Sequence, residues 1–439
     1  MTRDQIKKTV CDTIDKNRCE IIKIGEDILK RPELGFKEEE TSKFIREVFN
    51  SLGLKFIDNL AITGIKAQSY GKSHSLKVAI IGEMDAVICP AHPYADPATG
   101  AAHSCGHNAQ IASMLGAAIG LVAGGAMSEV DGDVAFMAVP AEEFVELEYR
   151  EKLQSQGRIK FFGGKQELIR LGAFDDIDMA MMVHSQANTP DKRVFLEGGS
   201  SGFIGKTVHY KGKEAHSGGA PYEGINALNA AMISLMSIHA LRETFKDEDH
   251  IRVHPIITKG GDLVNIVPAD VRMETYVRGK TVDAVIAANK KVNRALEAGA
   301  YAIGAEVEIK EFPGYLPLNQ DLFMSKIFED NIKHFVGEKN IVKGIDMIGS
   351  TDIGDLSAII PVIQPTIGGF QGAAHSREFK IVDPEMAYII PAKAMSMTVV
   401  DLLFDGAEKG TKIKSNFRPL FTKESYLDMW EKVLLANKK

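Results

Sequence analysis

Four short apolar runs, at residues 77–81, 134–139, 179–183 and 361–367, restrict the folds open to this chain more than any other feature. Each has the length and β-branched content of a buried strand. Helical patterns separate several of them: residues 110–122 are rich in Ala, Leu, Ile and Met, and residues 384–403 repeat apolar side chains at three- and four-residue intervals. The alternation predicts an α/β domain with a central, mostly parallel sheet flanked by helices. Residues 4–30 and 39–52 also carry apolar positions at helical spacing, on either side of a Pro-Glu-Leu-Gly-Phe turn.

Between residues 197 and 312 the rhythm changes to strand (203–210), helix (226–241), strand (251–259), strand (271–279), helix (282–302) and strand (305–311). This βαββαβ order is that of a ferredoxin-like unit large enough for its own core, and it interrupts the α/β domain rather than following it. A chain of 439 residues is too long for one ordinary core. The expected division is 1–196, 197–312 and 313–439, the first and last forming one domain. The tail from about residue 405 is basic and aromatic. Its amphipathic stretch at 426–435 holds the single tryptophan, Trp430, and reads as a docked surface helix without assigned function.

Apolar residues make up 45% and charged residues 25% of the chain, the balance of a globular protein. A net charge of −7 provides no basic face for nucleic acid. The N-terminal stretch is charged and amphipathic rather than a secretory signal, and no apolar run approaches a membrane span, so no membrane partner is expected. The four cysteines, Cys11, Cys19, Cys89 and Cys105, form no regular framework, which points to a reducing, cytoplasmic setting.

Open α/β sheets bind ligands beyond the carboxyl ends of their strands. Glu83 and Asp85 follow the first apolar run, Glu142 and Glu143 the second, and His184 the third; His375 lies in the glycine-rich loop after the fourth. Cys105 and His107 sit in His103-Ser-Cys-Gly-His-Asn, at a loop-to-helix junction. Singly, each has an ordinary structural reading. A carboxylate after a strand is a solvated loop residue or a helix cap, a lone cysteine is a small hydrophobe, and a lone histidine is a hydrogen-bonded core residue. Gathered at one sheet edge they supply thiolate, imidazole and carboxylate donors for two ions. A pair of ions about 3.5–4 Å apart lowers the pKa of water and polarises a carbonyl. Of two adjacent glutamates, one can then ligate while the other carries the proton. In the inserted unit, His216 in Ala215-His-Ser-Gly-Gly-Ala-Pro can donate to an oxyanion. Arg278, beyond Asn265-Ile-Val-Pro, can clamp a substrate carboxylate or serve as a surface ion pair.

Taken with Arg31-Pro-Glu-Leu-Gly-Phe, Gly82-Glu-Met-Asp-Ala, Pro140-Ala-Glu-Glu, Gly349-Ser-Thr-Asp-Ile-Gly-Asp-Leu-Ser and His375-Ser, these motifs span nearly the whole chain. In them the chain resembles the aminoacylase/carboxypeptidase family of dinuclear metallopeptidases, in its amidohydrolase branch of aminobenzoyl-glutamate and dipeptide hydrolases. The resemblance implies a zinc-exopeptidase-like fold and two divalent ions per subunit, zinc first, with manganese or cobalt as alternatives. It implies that Cys105 bridges the ions, that His107 and His184 complete one, and that Glu143 and His375 complete the other. Glu142 becomes the general base and Asp85 the carboxylate that orients the site. Glu83 stands where other branches carry a metal-binding histidine and is not counted as a ligand. The inserted unit becomes a lid and dimerisation domain, so that His216 reaches the active site of the partner subunit in a homodimer, and Asn265 and Arg278 bind substrate. The implied reaction is hydrolysis of the amide of an N-acyl amino acid or small dipeptide. One stretch departs from the pattern: residues 144–162 are longer and more charged than the glycine-rich run that usually follows the paired glutamates, and they lie where they can reshape the substrate pocket.

Two other readings use the same residues. Cys105 can be the nucleophile of a metal-independent thiol amidase with His107 or His184 as base, although such chemistry has no need of paired glutamates. The chain can also be a non-catalytic peptide or metabolite binder on the same fold, although all the ligands and the base are still present.

Overall fold

The computed structural model describes residues 1–436, which form two compact units. The first comprises residues 1–199, 319–346 and 355–423; the second comprises 200–318, 347–354 and the described residues from 424 on.

The first unit is built on a six-stranded sheet in the order Lys55–Leu60, Gly64–Ser69, Asp133–Val139, Lys77–Glu83, Met179–Met181, Val362–Ile363. The last four strands run parallel, and the first two form an antiparallel hairpin on the edge. Asp133–Val139 is buried at every residue and Lys77–Glu83 at all but its first, so both faces of the sheet are covered, as parallel strands require. Helix His107–Ala123 packs on these two strands and is buried continuously from His107 to Leu121. The edge hairpin is absent from the sequence reading because its outer strand is half exposed and carries Lys, Asp and Asn among its apolar residues.

Three apolar segments divide in the structure. Residues 4–30 form two helices, Arg3–Lys16 and Arg18–Leu29, broken at Asn17. The runs 179–183 and 361–367 each contribute one strand to the central sheet, then turn into a separate four-stranded sheet where His184–Ser185 pairs in parallel with Thr366–Ile367. That turn is what presents His184 at the end of the central sheet rather than within it. The sequence reading of no membrane-length run is corrected at Glu385–Leu403, which is long and apolar enough to cross a bilayer. Its apolar window is wholly buried, and it packs against Arg3–Lys16 and His107–Ala123 as a core helix.

The second unit has the sheet order Arg252–Val253, Asp270–Gly279, Gly202–Lys211, Glu306–Pro313, with Ile256–Lys259 also pairing to Asp270–Gly279. Helices Ala227–Leu241 and Val282–Ile303 pack against each other and the sheet, capped at their N-termini by the side chains of Asn226 and Thr281. The predicted βαββαβ order is present, with its second strand split in two. The expectation that everything after residue 312 belongs with the first unit does not match the grouping observed: residues 347–354 and the helix Lys423–Ala436 from Glu424 on group with the second. The reason is apolar: Trp430 is 2% exposed and shares a pocket with Phe203, Val285, Tyr315 and Leu316.

Inside this unit Lys206 pairs with Glu311, both buried. Burial alone raises the Glu311 carboxyl, but the Lys206 charge and hydrogen bond and the amides of Asn293 and Asn289, each 2.7 Å away, hold it below its ordinary value. A carboxyl depressed in this way contributes stability that is complete above its unfolded value of 4.5 and is lost as pH falls through the folded value. The urea midpoint is expected to fall as the pH drops below 4.5, and to fall less in Glu311→Gln.

Candidate metal centre

The geometry starts from Gly106. With φ of +86° it makes the turn that separates Cys105 from the first helical residue, His107, and a Cβ there would lie 2.8 Å from the Ser185 side chain. The Ser185 hydroxyl donates to the Cys105 carbonyl at 2.6 Å, which ties this loop to the His184 strand. The His375 loop is tied in by its own N–H, which donates to the Ser104 carbonyl at 2.8 Å.

Two histidines have their tautomers set by main-chain carbonyls. His107 Nδ1 donates to the Asp85 carbonyl at 2.8 Å, and His184 Nδ1 to the Ser185 carbonyl at 2.9 Å. Since a carbonyl only accepts, Nε2 of each is the nitrogen turned to the centre, and in the neutral ring it holds the lone pair a ligating imidazole uses. His184 Nε2 lies 3.6 Å from Cys105 Sγ, and His375 Nε2 lies 3.2 Å from Glu143 Oε1. His107 Nε2 stands 3.1 Å from Glu83 Oε2, 3.8 Å from Glu142 Oε2 and 4.0 Å from Glu143 Oε1. Asp85 is fully buried; one carboxylate oxygen accepts the Glu143 N–H at 2.8 Å and the other lies 3.3 Å from His107 Nδ1.

Ligand atoms of Cys105, His107 and His184 lie within 4.8 Å of one another, and so do those of Cys105, Glu143 and His375. A third group joins Glu83, His107 and Glu142. Glu83 differs from the other carboxylates because its oxygens are already engaged: Oε1 accepts from Lys165 Nζ at 2.5 Å and Oε2 from Gln110 at 2.7 Å. His107 Nε2 and Glu143 Oε1 are buried without a hydrogen-bond partner. Buried polar atoms are seldom left in that state, and an imidazole lone pair facing a carboxylate and a thiol is the donor set of a zinc-type ion.

The charges agree. Burial raises a thiol, yet the imidazoles of His184 and His107 overturn this and hold Cys105 well below its ordinary value. Burial lowers an imidazole, yet Glu83 and Cys105 raise His107 well above its own. Cys105 and then Glu143, both beside its ring, raise His375 to about 11. Glu143 is pushed up to about 7 by burial and the Cys105 charge. Glu83, although buried, is brought down to about 2 by Lys165, His107 and His184. The centre is therefore a basin of negative potential in which imidazoles take up positive charge, the setting that attracts cations. His103 stands apart: burial and the neighbouring His107 lower it to about 3, so it is a neutral core residue.

The remaining predicted residues belong to the second unit. His216 is exposed, and its Nδ1 accepts from the N–H groups of Gly218 and Gly219, so Nε2 carries the proton and can donate. Its loop lies beside that of Asn265, whose carbonyl accepts from the Ser217 N–H; Asn265 itself is exposed. Arg278 is half-buried over the rings of Phe203 and Tyr276 and donates to Ser350 at 2.7 Å. Sequence reasoning missed Lys165 and Gln110. The one signal for Lys165 was Glu83 itself, a carboxylate ending a wholly apolar strand, which needs a buried countercharge.

Residues 198–303 match the family described as the peptidase dimerisation domain. A Bacillus subtilis protein described as a dinuclear metal binding peptidase of the M20 family superposes with a TM-score of 0.68 at 22% identity, covering 89% of this chain and 99% of that one. The Xaa-Arg dipeptidase of Mus musculus is 30% identical over 79% of this chain and 76% of its own length. The chain belongs to the M20 peptidase family. N-acetylcysteine deacetylase of Bacillus subtilis is a further relative, 26% identical over 69% of this chain and 76% of its own. As an M20 enzyme the chain is a hydrolase of peptide and related amide bonds.

Proposed function

We propose that this M20 hydrolase cleaves the amide of small dipeptides or N-acyl amino acids that carry a free carboxylate, with two divalent ions, zinc first and manganese or cobalt as alternatives. The observation that carries the reading is that two sets of ligand atoms, Cys105–His107–His184 and Cys105–Glu143–His375, share one thiolate. Cys105, His107 and His184 would hold one ion, and Cys105, Glu143 and His375 would hold the other. The Glu83–His107–Glu142 group is not a third site, because Lys165 and Gln110 already satisfy Glu83.

When bound, such ions supply Lewis acidity and lower the pKa of water. Glu142, buried and 3.8 Å from His107 Nε2 yet outside both ligand sets, takes the proton of the attacking water and returns it to the leaving amine. Asp85 holds two groups of the centre at once, the His107 ring and the Glu143 main chain. In a homodimer His216 would donate through Nε2 to the developing oxyanion in the active site of the partner subunit, and Asn265 and Arg278 would bind substrate.

A homodimer is supported by the dimerisation-domain match and by exposed apolar residues of the second unit: Met232 and Met236 on one helix, Ile256 and Ile257 on the edge strand. All four cysteines are free, which supports a reducing, cytoplasmic setting.

The test is a panel of Xaa-Arg and other dipeptides, N-acyl amino acids and aminobenzoyl-glutamate, assayed before chelation, after it, and after return of zinc, manganese or cobalt. Turnover is expected to vanish and return. Full activity of the chelated protein rejects the reading in favour of a thiol amidase, and binding without turnover by the metal-replete protein rejects it in favour of a binder.

A further inference from the structure

The paired glutamates sit on an unusual piece of backbone. Ala141, immediately before Glu142, has φ of +52°, and Glu146, three residues after Glu143, has the same left-handed value. A non-glycine residue persists in that region only where its surroundings over-determine it. At Ala141 they do. Its N–H donates to the Glu38 carboxylate at 2.8 Å and its carbonyl accepts the Gly164 N–H at 3.1 Å. The Glu143 N–H donates to Asp85. The Glu143 carbonyl accepts the Val145 N–H at 2.9 Å and, from a side chain, Nη2 of Arg150.

We propose that Arg150, carried on the 144–162 stretch that departs from the family pattern, is a positioning residue that clamps the main chain of the Glu142–Glu143 turn. This rests on the roles given above to Glu142 and Glu143. Arg150 is 1% exposed, and its guanidinium spans both ends of the stretch, since Nη1 donates to the Phe162 carbonyl at 2.6 Å while Nη2 reaches Glu143. The rings of Phe36 and Phe144 face it at 5.4 Å and 5.9 Å. A planar fork reaches two carbonyls at once, which a lysine ammonium on a single stem does not reproduce.

The Arg31-Pro-Glu-Leu-Gly-Phe segment builds the other wall of the clamp. A Cβ on Gly35 would lie 2.7 Å from Arg150 Nη2 and 2.9 Å from the Ala141 Cα, so only glycine leaves room there. Phe36 supplies one ring face, and Glu38 takes the Ala141 N–H. A charged donor away from water makes a short, strong bond to a carbonyl, and that bond fixes the direction in which both glutamate side chains leave the turn.

The test compares Arg150→Lys, which keeps the charge and most of the volume, with Arg150→Met and with Arg158→Ala, an exposed control on the same stretch. In Arg150→Lys, kcat is expected to fall about 10- to 100-fold with KM within about two-fold, the signature of displaced reacting groups. Cobalt(II) titration of the metal-free protein, followed by thiolate absorption, is expected to show one of two ions bound about ten-fold more weakly. Arg150→Met exceeds both effects where it folds, and Arg158→Ala matches wild type. A folded Arg150→Lys with unchanged kcat and unchanged titration overturns the proposal. So does a loss of activity that only tracks the fraction of unfolded protein. If wild type hydrolyses nothing in the panel, the functional reading fails, and the cobalt titration alone decides the clamp.

Discussion

Glu142→Gln is expected to lower kcat by about 10³- to 10⁴-fold, the upper range for removal of a positioned general base, while the protein keeps its full metal content. The substitution preserves shape and removes only the capacity to take a proton. Glu142 is buried and its Oε2 is 3.8 Å from His107 Nε2, but it belongs to neither ligand set that shares Cys105. KM should change little, because an interaction made mainly in the transition state affects kcat and kcat/KM alike. The neighbouring Glu143→Gln provides the contrast. Its Oε1 is an unpartnered buried atom of the centre, 3.2 Å from His375 Nε2, so that variant is expected to lose metal before it loses chemistry. Steady-state kinetics with metal analysis on the same samples checks both. A Glu142→Gln enzyme within ten-fold of wild type would remove Glu142 from its role.

The second large effect concerns stability. Lys165 and Glu83 are each 0% exposed and 2.5 Å apart, so neither charge is shared with bulk water. Lys165→Met strips the carboxylate of its cation and leaves it buried 3.1 Å from His107 Nε2, with only the Gln110 amide donating to its Oε2. Breaking such a pair from one side costs up to about 3–5 kcal/mol, because the surviving charge keeps its full desolvation cost and loses the largest attraction that offset it. The double variant Lys165→Met with Glu83→Gln is expected to recover much of that loss, since a neutral amide still hydrogen-bonds to Gln110. Urea unfolding of the three variants and wild type, at one fixed metal concentration, gives the cycle directly. A single variant with an unchanged midpoint would show that the pair is not desolvated as described.

Much of the architecture was legible in sequence because burial on both faces leaves a strong signal. The runs at 77–81 and 134–139 are strands of the central sheet, and the βαββαβ order of the second unit follows from period-two and period-3.6 patterning. The runs at 179–183 and 361–367 were read as single strands because apolar character does not report which sheet a residue joins. Only the pairing of His184–Ser185 with Thr366–Ile367 shows the change of sheet. Trp430 illustrates the same limit. An amphipathic tail predicts docking, whereas the surface that receives it depends on the fit of Phe203, Val285 and Tyr315.

At the centre, residue type and position at strand ends or at a loop-to-helix junction gathered Glu83, Asp85, Cys105, His107, Glu142, Glu143, His184 and His375 as candidates, because metal chemistry tolerates few donor types and open sheets place ligands at one edge; their separate roles came from the family resemblance. That much the amino-acid order determined by itself. Tertiary structure alone decided that Lys165 neutralises Glu83, that Asp85 and Ser185 set the imidazole tautomers, and that Arg150 closes the turn beneath the paired glutamates. The physical reason is range. A propensity or a period is written over a few consecutive residues, whereas a buried charge takes its partner from whichever segment packing brings within about 3 Å, and no local pattern records that choice.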